Sequence, residues 1–412
     1  MPVTSNITSD KKNITAIVIV AALGYFVDVY DLILFSVVRK PSLLSLGITG
    51  DEQLNVGVSL LNWQMAGMLI GGIVWGIFGD KKGRIKVLFG SIFLYSAANI
   101  MNGFVQDINT YSVLRFIAGV GLAGELGAGI TLVSEVMRKE TRGWGTTIVA
   151  TVGLLGAVVA ALIANKFEWR TAYFAGGAMG IVLLILRVSV YESGMYKSIQ
   201  DKNVSKGNIL MLFSNKERFY KFAKCILIGL PTWFVMGVLV TFSDKFAEVQ
   251  GIKEIINPAQ SIMYAYIGLV AGDLLSGYLS QLLRSRKKVV IMFLILNCVF
   301  ISVYLFLNHF SVTYFYFICG MLGFSNGYWA VFVTNSSEQF GTNLRSTVTT
   351  AVPNIIRGST IPITLSFQFI SGYTGIIYGA LIIAVICLAI AILAAFKTRE
   401  TFAKDLDYVE VT

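Results

Sequence analysis

Charge is scarce in this chain. Only 14% of its 412 residues are Asp, Glu, Lys or Arg, against about 25% in a soluble globular domain, and that deficit excludes a water-exposed globule. Histidine is nearly absent. The single one, His309, falls in a short connection, so neither a zinc site nor a His-based proton relay is expected. The four cysteines, Cys225, Cys298, Cys319 and Cys387, stand apart in apolar surroundings with no Cys-x-x-Cys spacing, which reads as buried structural thiols. No Gly-x-x-x-x-Gly-Lys-Ser/Thr loop occurs, excluding a pump driven by its own ATP hydrolysis. No intramembrane nucleophile–His or metal constellation points to an enzyme, and no cofactor is expected.

What the chain has instead is apolar length. Hydrophobic residues make up 55% and the mean hydropathy is +0.72. Runs long enough to cross about 30 Å of hydrocarbon are predicted at 14–37, 55–79, 86–105, 110–137, 143–165, 170–190, 221–243, 258–283, 288–307, 312–337, 346–370 and 373–396. The N-terminal stretch lacks the basic–apolar–small order of a cleaved signal, so the first span is expected to be retained. With both termini inside, six Lys and Arg (Arg39, Lys40, Lys166, Arg170, Lys245, Lys253) fall outside, two (Arg115, Arg357) fall within spans, and 25 of the 33 are cytoplasmic. That asymmetry supplies most of the +10 net charge and fits an anionic inner leaflet of a bacterial cytoplasmic membrane, with no nucleic-acid partner.

The expected fold is an all-α membrane protein of 12 transmembrane helices in two six-helix pseudo-symmetric bundles. Residues 1–190 and 221–412 form the bundles, and the polar stretch 191–220 is a cytoplasmic linker. An internal repeat supports this division. Gly268, Gly272 and Gly277 repeat Gly67, Gly71 and Gly76 at an offset of 201, and Ser337, Glu338 and Arg345 repeat Ser134, Glu135 and Arg142 at 203. Duplicated halves are the architecture of secondary transporters, with the substrate site near the bilayer midplane.

The charged turn Gly79, Asp80, Gly83, Arg84 and Lys86 resembles the loop between the second and third helices of the major facilitator superfamily. Arg115 with Gly119, Gly121 and Ala123 resembles its fourth-helix motif, and Glu135 with Arg142 its sugar-porter and organic-ion branch. Tyr191-Glu192-Ser193 and Arg399-Glu400-Thr401 resemble the acidic motifs closing each half, though without the proline. Asp28-Val29-Tyr30-Asp31 resembles the first-helix Asp-Gly-Tyr-Asp of the aromatic-acid/proton symporters, with Val29 in place of glycine, and Gln281 replaces the acidic residue of the second charged loop. The resemblance implies alternating access, and an Asp80 that faces a helix N-terminus in the other half.

Several ionic groups fall inside predicted spans, where charge is expensive unless paired or hydrated. Asp28 and Asp31 are read as proton-coupling or substrate-binding residues, or alternatively as a structural pair with Arg115, which lies at similar depth to Asp31. Glu125 is a further proton-coupling candidate, with a neutral, hydrogen-bonded acid as the alternative. Arg357 cannot shed its charge, so it needs an anion, either Asp273 or a substrate carboxylate held by two parallel hydrogen bonds. Substrate-contact candidates are Arg115, Arg357, Tyr30, Gln64, Trp233, Tyr266, Asn326, Trp329 and Asn354, with Trp63, Tyr264 and Tyr328 as weaker ones. Asp80, Arg84, Glu135, Arg142, Glu338 and Arg345 are expected to form a cytoplasmic gate.

Two literal matches are set aside. Gly119-x-Gly121-x-x-Gly124 spells a dinucleotide fingerprint but lies in an apolar span with no preceding strand. The Asn-x-Ser/Thr triplets at Asn6, Asn13 and Asn335 fall on the inner side, beyond glycosylation. The sequence thus predicts a monomeric, proton-coupled carrier of a small organic solute, most simply a carboxylate-bearing anion. A carrier of sugars, amino acids or osmolytes, or a carrier-fold sensor, is the alternative. The fifth span lacks the Gly-Pro pair that the resemblance associates with drug/proton antiport, which favours uptake.

Overall fold

A computed structural model describes residues 3–50, 52–82, 84–124, 142–192, 211–306 and 310–402, and every regular element among them is helical. Glu125, Glu135 and His309 lie outside the described residues, as do the side chains of Asp80, Arg84, Arg142 and Arg345.

The first part of the chain supplies α1 (Val3–Ser45), α2 (Glu52–Lys82), α3 (Arg84–Asn102), α4 (Ile108–Leu122), α5 (Arg142–Lys166) and α6 (Trp169–Glu192). The second begins with a single turn, Met211–Ser214, and α7 (Lys216–Phe234), which runs into a π-helical stretch, Val235–Val240. Then come α8 (Ser243–Val249), α9 (Pro258–Leu282), α10 (Arg286–Phe306), α11 (Val312–Ser325), α12 (Trp329–Glu338), α13 (Thr342–Gly358), α14 (Thr360–Thr374) and α15 (Ile376–Lys397). Among the described residues, nine helical segments are long and apolar enough to cross a membrane, α11 and α12 counting together as one, Val312–Glu338.

Two expected spans are not single helices. The predicted helix 312–337 breaks at Asn326–Tyr328, and Asp273 on α9 accepts a hydrogen bond from the Ala330 amide (2.9 Å) in the first turn of α12. A carboxylate there satisfies an amide with no intrahelical partner and faces the positive end of the helix dipole. The predicted helix 346–370 is divided at Ser359 into α13 and α14, and α13 is too rich in Thr, Asn and Arg to read as an apolar span.

The glycine repeat explains how the helices pack. A Cβ on Gly67 or Gly71 of α2 would run into the α4 backbone at Phe116 and Val120, and one on Gly119 would meet Gln64. The second half repeats this crossing, since Gly268 and Gly272 of α9 press on Gly320 and Phe324 of α11 while Gly323 presses on Ala265. Small residues that let backbones touch are the usual basis of helix association in lipid, where burying apolar surface gives little. Across the halves, α5 packs on α9 and α2 on α13 and α14, with α1 between them.

Candidate functional site

The site is built from one face of α1. Tyr25, Val29 and Leu32 follow the i, i+4, i+7 spacing of a single helical stripe and line a cavity between the halves. Leu154 of α5 completes the near wall, and the far wall is Thr232, Trp233 and Met236 of the seventh helix, Tyr266 and Leu269 of α9, Trp329 of α12 and Arg357 of α13. The cavity volume is ≈ 40 Å³. That accommodates a few water molecules at about 10–15 Å³ each, and no organic solute, so the halves are closed on each other here.

Asp28 lies at the edge of this face. Its Oδ2 is 3.6 Å from Nη2 of Arg357, joining α1 to α13 across the halves, and both side chains are buried (0% and 2% exposed). Nε and Nη1 of Arg357 have no hydrogen-bond acceptor among the described residues. The expected partner of Arg357, Asp273, is engaged with the start of α12 instead.

Asp31 takes another direction. Residues three apart on a helix differ by about 60° around its axis, enough to send Asp31 toward α6, where Gly176 has no Cβ to obstruct its carboxylate. The charges bearing on it are Arg115 and Asp28, yet the direct Asp31–Arg115 pair expected from sequence does not form. Arg115 donates to Asn99 Oδ1 (3.0 Å) and lies 4.9 Å over the Tyr173 ring. Tyr173 and Tyr111 share a hydrogen bond of 2.6 Å beside it. Both Asp31 oxygens, and Nε and Nη1 of Arg115, lack hydrogen-bond partners among the described residues.

The family model described as Major Facilitator Superfamily matches residues 21–360. The chain belongs to the Major Facilitator Superfamily. It is 26% identical to a putative niacin/nicotinamide transporter, NiaP, of Bacillus subtilis, over 93% of this chain and 96% of that one. It is 24% identical to a cis,cis-muconate transport protein of Acinetobacter baylyi, over 86% and 88%. Its fold matches that of the proton:xylose symporter XylE bound to 6-bromo-6-deoxy-D-glucose, with a TM-score of 0.71, 14% identity and coverage of 97% and 98%. This superfamily member is therefore a transporter, not an enzyme, and an integral multi-pass membrane protein.

The transporter's halves are tied together from the Arg39 end to beyond the centre. Arg39, fully buried, pairs with Asp244 of α8, donates to the Thr241 carbonyl (3.3 Å) and lies 4.7 Å over the Phe242 ring. Nearby, Thr364 donates to Asn62 (2.8 Å), Gln368 to Asn55 (3.1 Å) and Asn257 to Asn165 (2.9 Å). Deeper in, Asn354 Nδ2 donates to the Ala123 carbonyl (3.1 Å) and lies against Gly72.

At the opposite end, Glu338 meets Arg286, with Nη2 2.8 Å and Nε 2.6 Å from its two carboxylate oxygens. Thr401 Oγ1 lies 2.8 Å from Glu338. Glu400 accepts from the Ser285 hydroxyl and from the amides of Arg286 (3.1 Å) and Lys287 (3.3 Å), so the acidic closing motif caps α10. Partial burial raises the Glu400 carboxyl, but hydrogen bonds from Ser285, Phe402, Arg286 and Thr401 outweigh it and hold the group below the usual carboxylate range. A depressed folded value contributes stability above the ordinary glutamate value and loses it as pH falls through the folded one. Glu400→Gln is accordingly expected to destabilise by about 1 kcal/mol at neutral pH, as cap losses do, with the gap in melting temperature closing below about pH 4.

Of the residues singled out from sequence, Arg357, Trp233, Tyr266 and Trp329 reach the cavity. Tyr30 donates to the Ala172 carbonyl (2.8 Å) and Gln64 to that of Leu32 (3.1 Å), both within the first half. Asn326 accepts from Asn297 (3.0 Å), and Tyr328 donates to the Ile228 carbonyl (3.1 Å), both within the second. Tyr264 stacks on Tyr316, and Trp63 is half exposed. Sequence reading overlooked Tyr25, Thr232, Met236, Arg39 and Asp244. Tyr25 was accessible to it, one turn before Asp28 on the same stripe.

Proposed function

We propose that this transporter is a twelve-span secondary carrier, monomeric, with both termini on the cytoplasmic side of a bacterial inner membrane. Its six-helix halves rock about the α1–α13 contact to move a small carboxylate-bearing solute inward together with protons. The observation that carries the reading is Arg357, a permanently charged fork with uncommitted donors in a cavity walled by Tyr25, Trp233, Tyr266 and Trp329. Such a site offers a carboxylate charge-assisted hydrogen bonds and offers the rest of the molecule aromatic surface. Niacin, which stands beside nicotinamide in the name of one relative, and cis,cis-muconate, in the name of another, are both conjugated carboxylates, and they support the same class.

Charge balance supports proton coupling. Among the described residues, the buried centre holds three carboxylates, Asp28, Asp31 and Asp273, against two guanidiniums, Arg115 and Arg357. An incoming anion adds a further negative charge where solvent is sparse, and a proton on an aspartate removes it. Asp31, beside Arg115 and out of the cavity, is suited to carry that proton without touching the solute.

Nicotinate against nicotinamide tests the substrate class, since the pair differ only in the group Arg357 would hold. Nicotinate, benzoate or cis,cis-muconate should stabilise the purified protein in a thermal-shift assay, and the matching amides should not. Stabilisation by neutral sugars alone would reject the proposal. For coupling, Asp31→Asn is expected to abolish accumulation driven by a pH gradient while solute exchange persists. Gradient-driven uptake at the parent rate would remove Asp31 from the mechanism.

A further inference from the structure

We infer that the first half carries its own proton entry, a hydroxyl chain through Ser42, Tyr111 and Tyr173 that leads from the Arg39 end to Asp31 and bypasses the solute cavity. This rests on the reading of Asp31 as the proton carrier and adds the route by which that carrier is loaded.

Helix geometry assembles the chain. Tyr111 and Arg115 are four apart on α4 and so lie one turn from each other on one face, and Tyr173 and Gly176 share a face of α6 in the same way. The outer members of the two pairs meet near the Arg39 end. Their phenolic oxygens are 2.6 Å apart, and the Tyr111 hydroxyl lies 3.4 Å from Oγ of Ser42, one turn beyond Arg39 on α1. The inner members meet deeper, where Arg115 lies 4.9 Å from the centre of the Tyr173 ring and the carboxylate of Asp31 occupies the space that a Cβ on Gly176 would fill. None of these residues lines the solute cavity.

A second observation marks a place for water at the inner end. Both oxygens of Asp31, Nε and Nη1 of Arg115, Nδ2 of Asn99 and Oγ of Ser96 lack hydrogen-bond partners among the described residues. Their residues are at most 2% exposed. Buried donors and acceptors of this kind are met by internal water in folded proteins, and such water joins the Tyr173 hydroxyl to Asp31.

Charge sets the order of transfer. The ionisable groups bearing on Asp31 are Arg115 from α4, Tyr173 from α6, and Asp28 and Tyr30 from its own helix. Arg115 also bears on Tyr111, as does Arg170 at the outer end. Two cations make an excess proton on the chain costly and a missing one tolerable, so the carboxylate draws first. Asp31 takes a proton from the water beside it, forming an O–H bond; Tyr173 restores that water, Tyr111 restores Tyr173, and bulk water restores Tyr111 by way of Ser42. Each intervening oxygen gains one proton as it gives one up, and the net transfer is a single proton from the bulk to Asp31. Ser42 and Tyr111 are 0% exposed while Arg39 is paired with Asp244. The chain therefore fills only when that end opens, and the closed form offers the proton no leak.

The test follows Asp31 directly, in protein held in nanodiscs, by infrared spectroscopy after a rapid drop in pH. The carbonyl stretch of a protonated carboxyl that disappears in Asp31→Asn reports the group, and it needs no solute. Tyr111→Phe and Tyr173→Phe keep the rings and remove the oxygens. Each should slow the rise of the band by about 100-fold, the usual worth of a positioned proton-transfer group, and leave its final height unchanged. In proteoliposomes the same variants should exchange nicotinate or benzoate at the parent rate and accumulate it slowly to the parent's final ratio, whereas Asp31→Asn should never accumulate it. If one tyrosine variant does not fold, the other breaks the chain alone. A band that rises at the parent rate in either variant overturns the chain and leaves Asp31 as the carrier. Slowing matched by an equal loss of solute exchange marks a structural role and overturns it too. Should no carboxyl band depend on Asp31 at any pH, the carrier reading fails and the chain with it.

Discussion

Arg357→Ala is expected to lower carboxylate uptake into proteoliposomes by about 30- to 5,000-fold, because truncating one partner of a buried, hydrogen-bonded charge pair costs about 2–5 kcal/mol. The variant loses the fork proposed to receive the solute. It also strands Asp28, which is 0% exposed, without its cross-half cation, so the fold itself should lose about 3–5 kcal/mol. The two effects separate in the double variant Asp28→Asn, Arg357→Ala. Removing both charges should recover most of the melting temperature and none of the uptake. Arg357→Lys keeps a point charge without the planar fork and should fall between. Parent-like uptake in Arg357→Ala would end the substrate proposal.

The second large effect is expected at the Arg39 end. Among the described residues, Asp244→Ala leaves a guanidinium at 0% exposure with a carbonyl and the Phe242 ring for company. The penalty, about 3–5 kcal/mol, applies only while that end is shut, since separating the halves admits water to Arg39. The closed–open equilibrium should therefore shift toward the form open at the Arg39 end by about two orders of magnitude or more. Asn62 and Thr364 meet at the same seam, so a cysteine at position 62 should react with an impermeant maleimide much faster in the Asp244→Ala background. Cys225, Cys319 and Cys387 are buried, and the partly exposed Cys298 is replaced by serine for the measurement. Unaltered labelling would mean that the Arg39–Asp244 contact does not hold the halves.

What was legible in the sequence was whatever depends on short-range pattern. The α2–α4 crossing and its copy between α9 and α11 follow from glycines whose spacing is visible in one dimension. The closing motif at Arg399-Glu400-Thr401 and the basic run at Arg286 were both recognisable, and they meet at the start of α10. Partnerships between distant residues were not legible. Nothing local distinguishes Asp28 from Asp273 as the anion for Arg357; that choice depends on how α1 sits against α13 and on the break before α12, which consumes Asp273. Arg39 and Asp244 are 205 residues apart, and each alone reads as an ordinary charge in a connection. The sequence puts Asp31 and Arg115 at similar depth, but depth does not set azimuth.

The two α1 carboxylates, turned to different faces of one helix, decide whether voltage can drive this carrier. If only one of them is loaded with each monovalent solute, the travelling complex is neutral and the membrane potential does no work on it. If both are loaded, one positive charge moves inward per cycle. Each 100 mV then contributes about 2.3 kcal/mol, which at equilibrium multiplies the solute ratio by about 50.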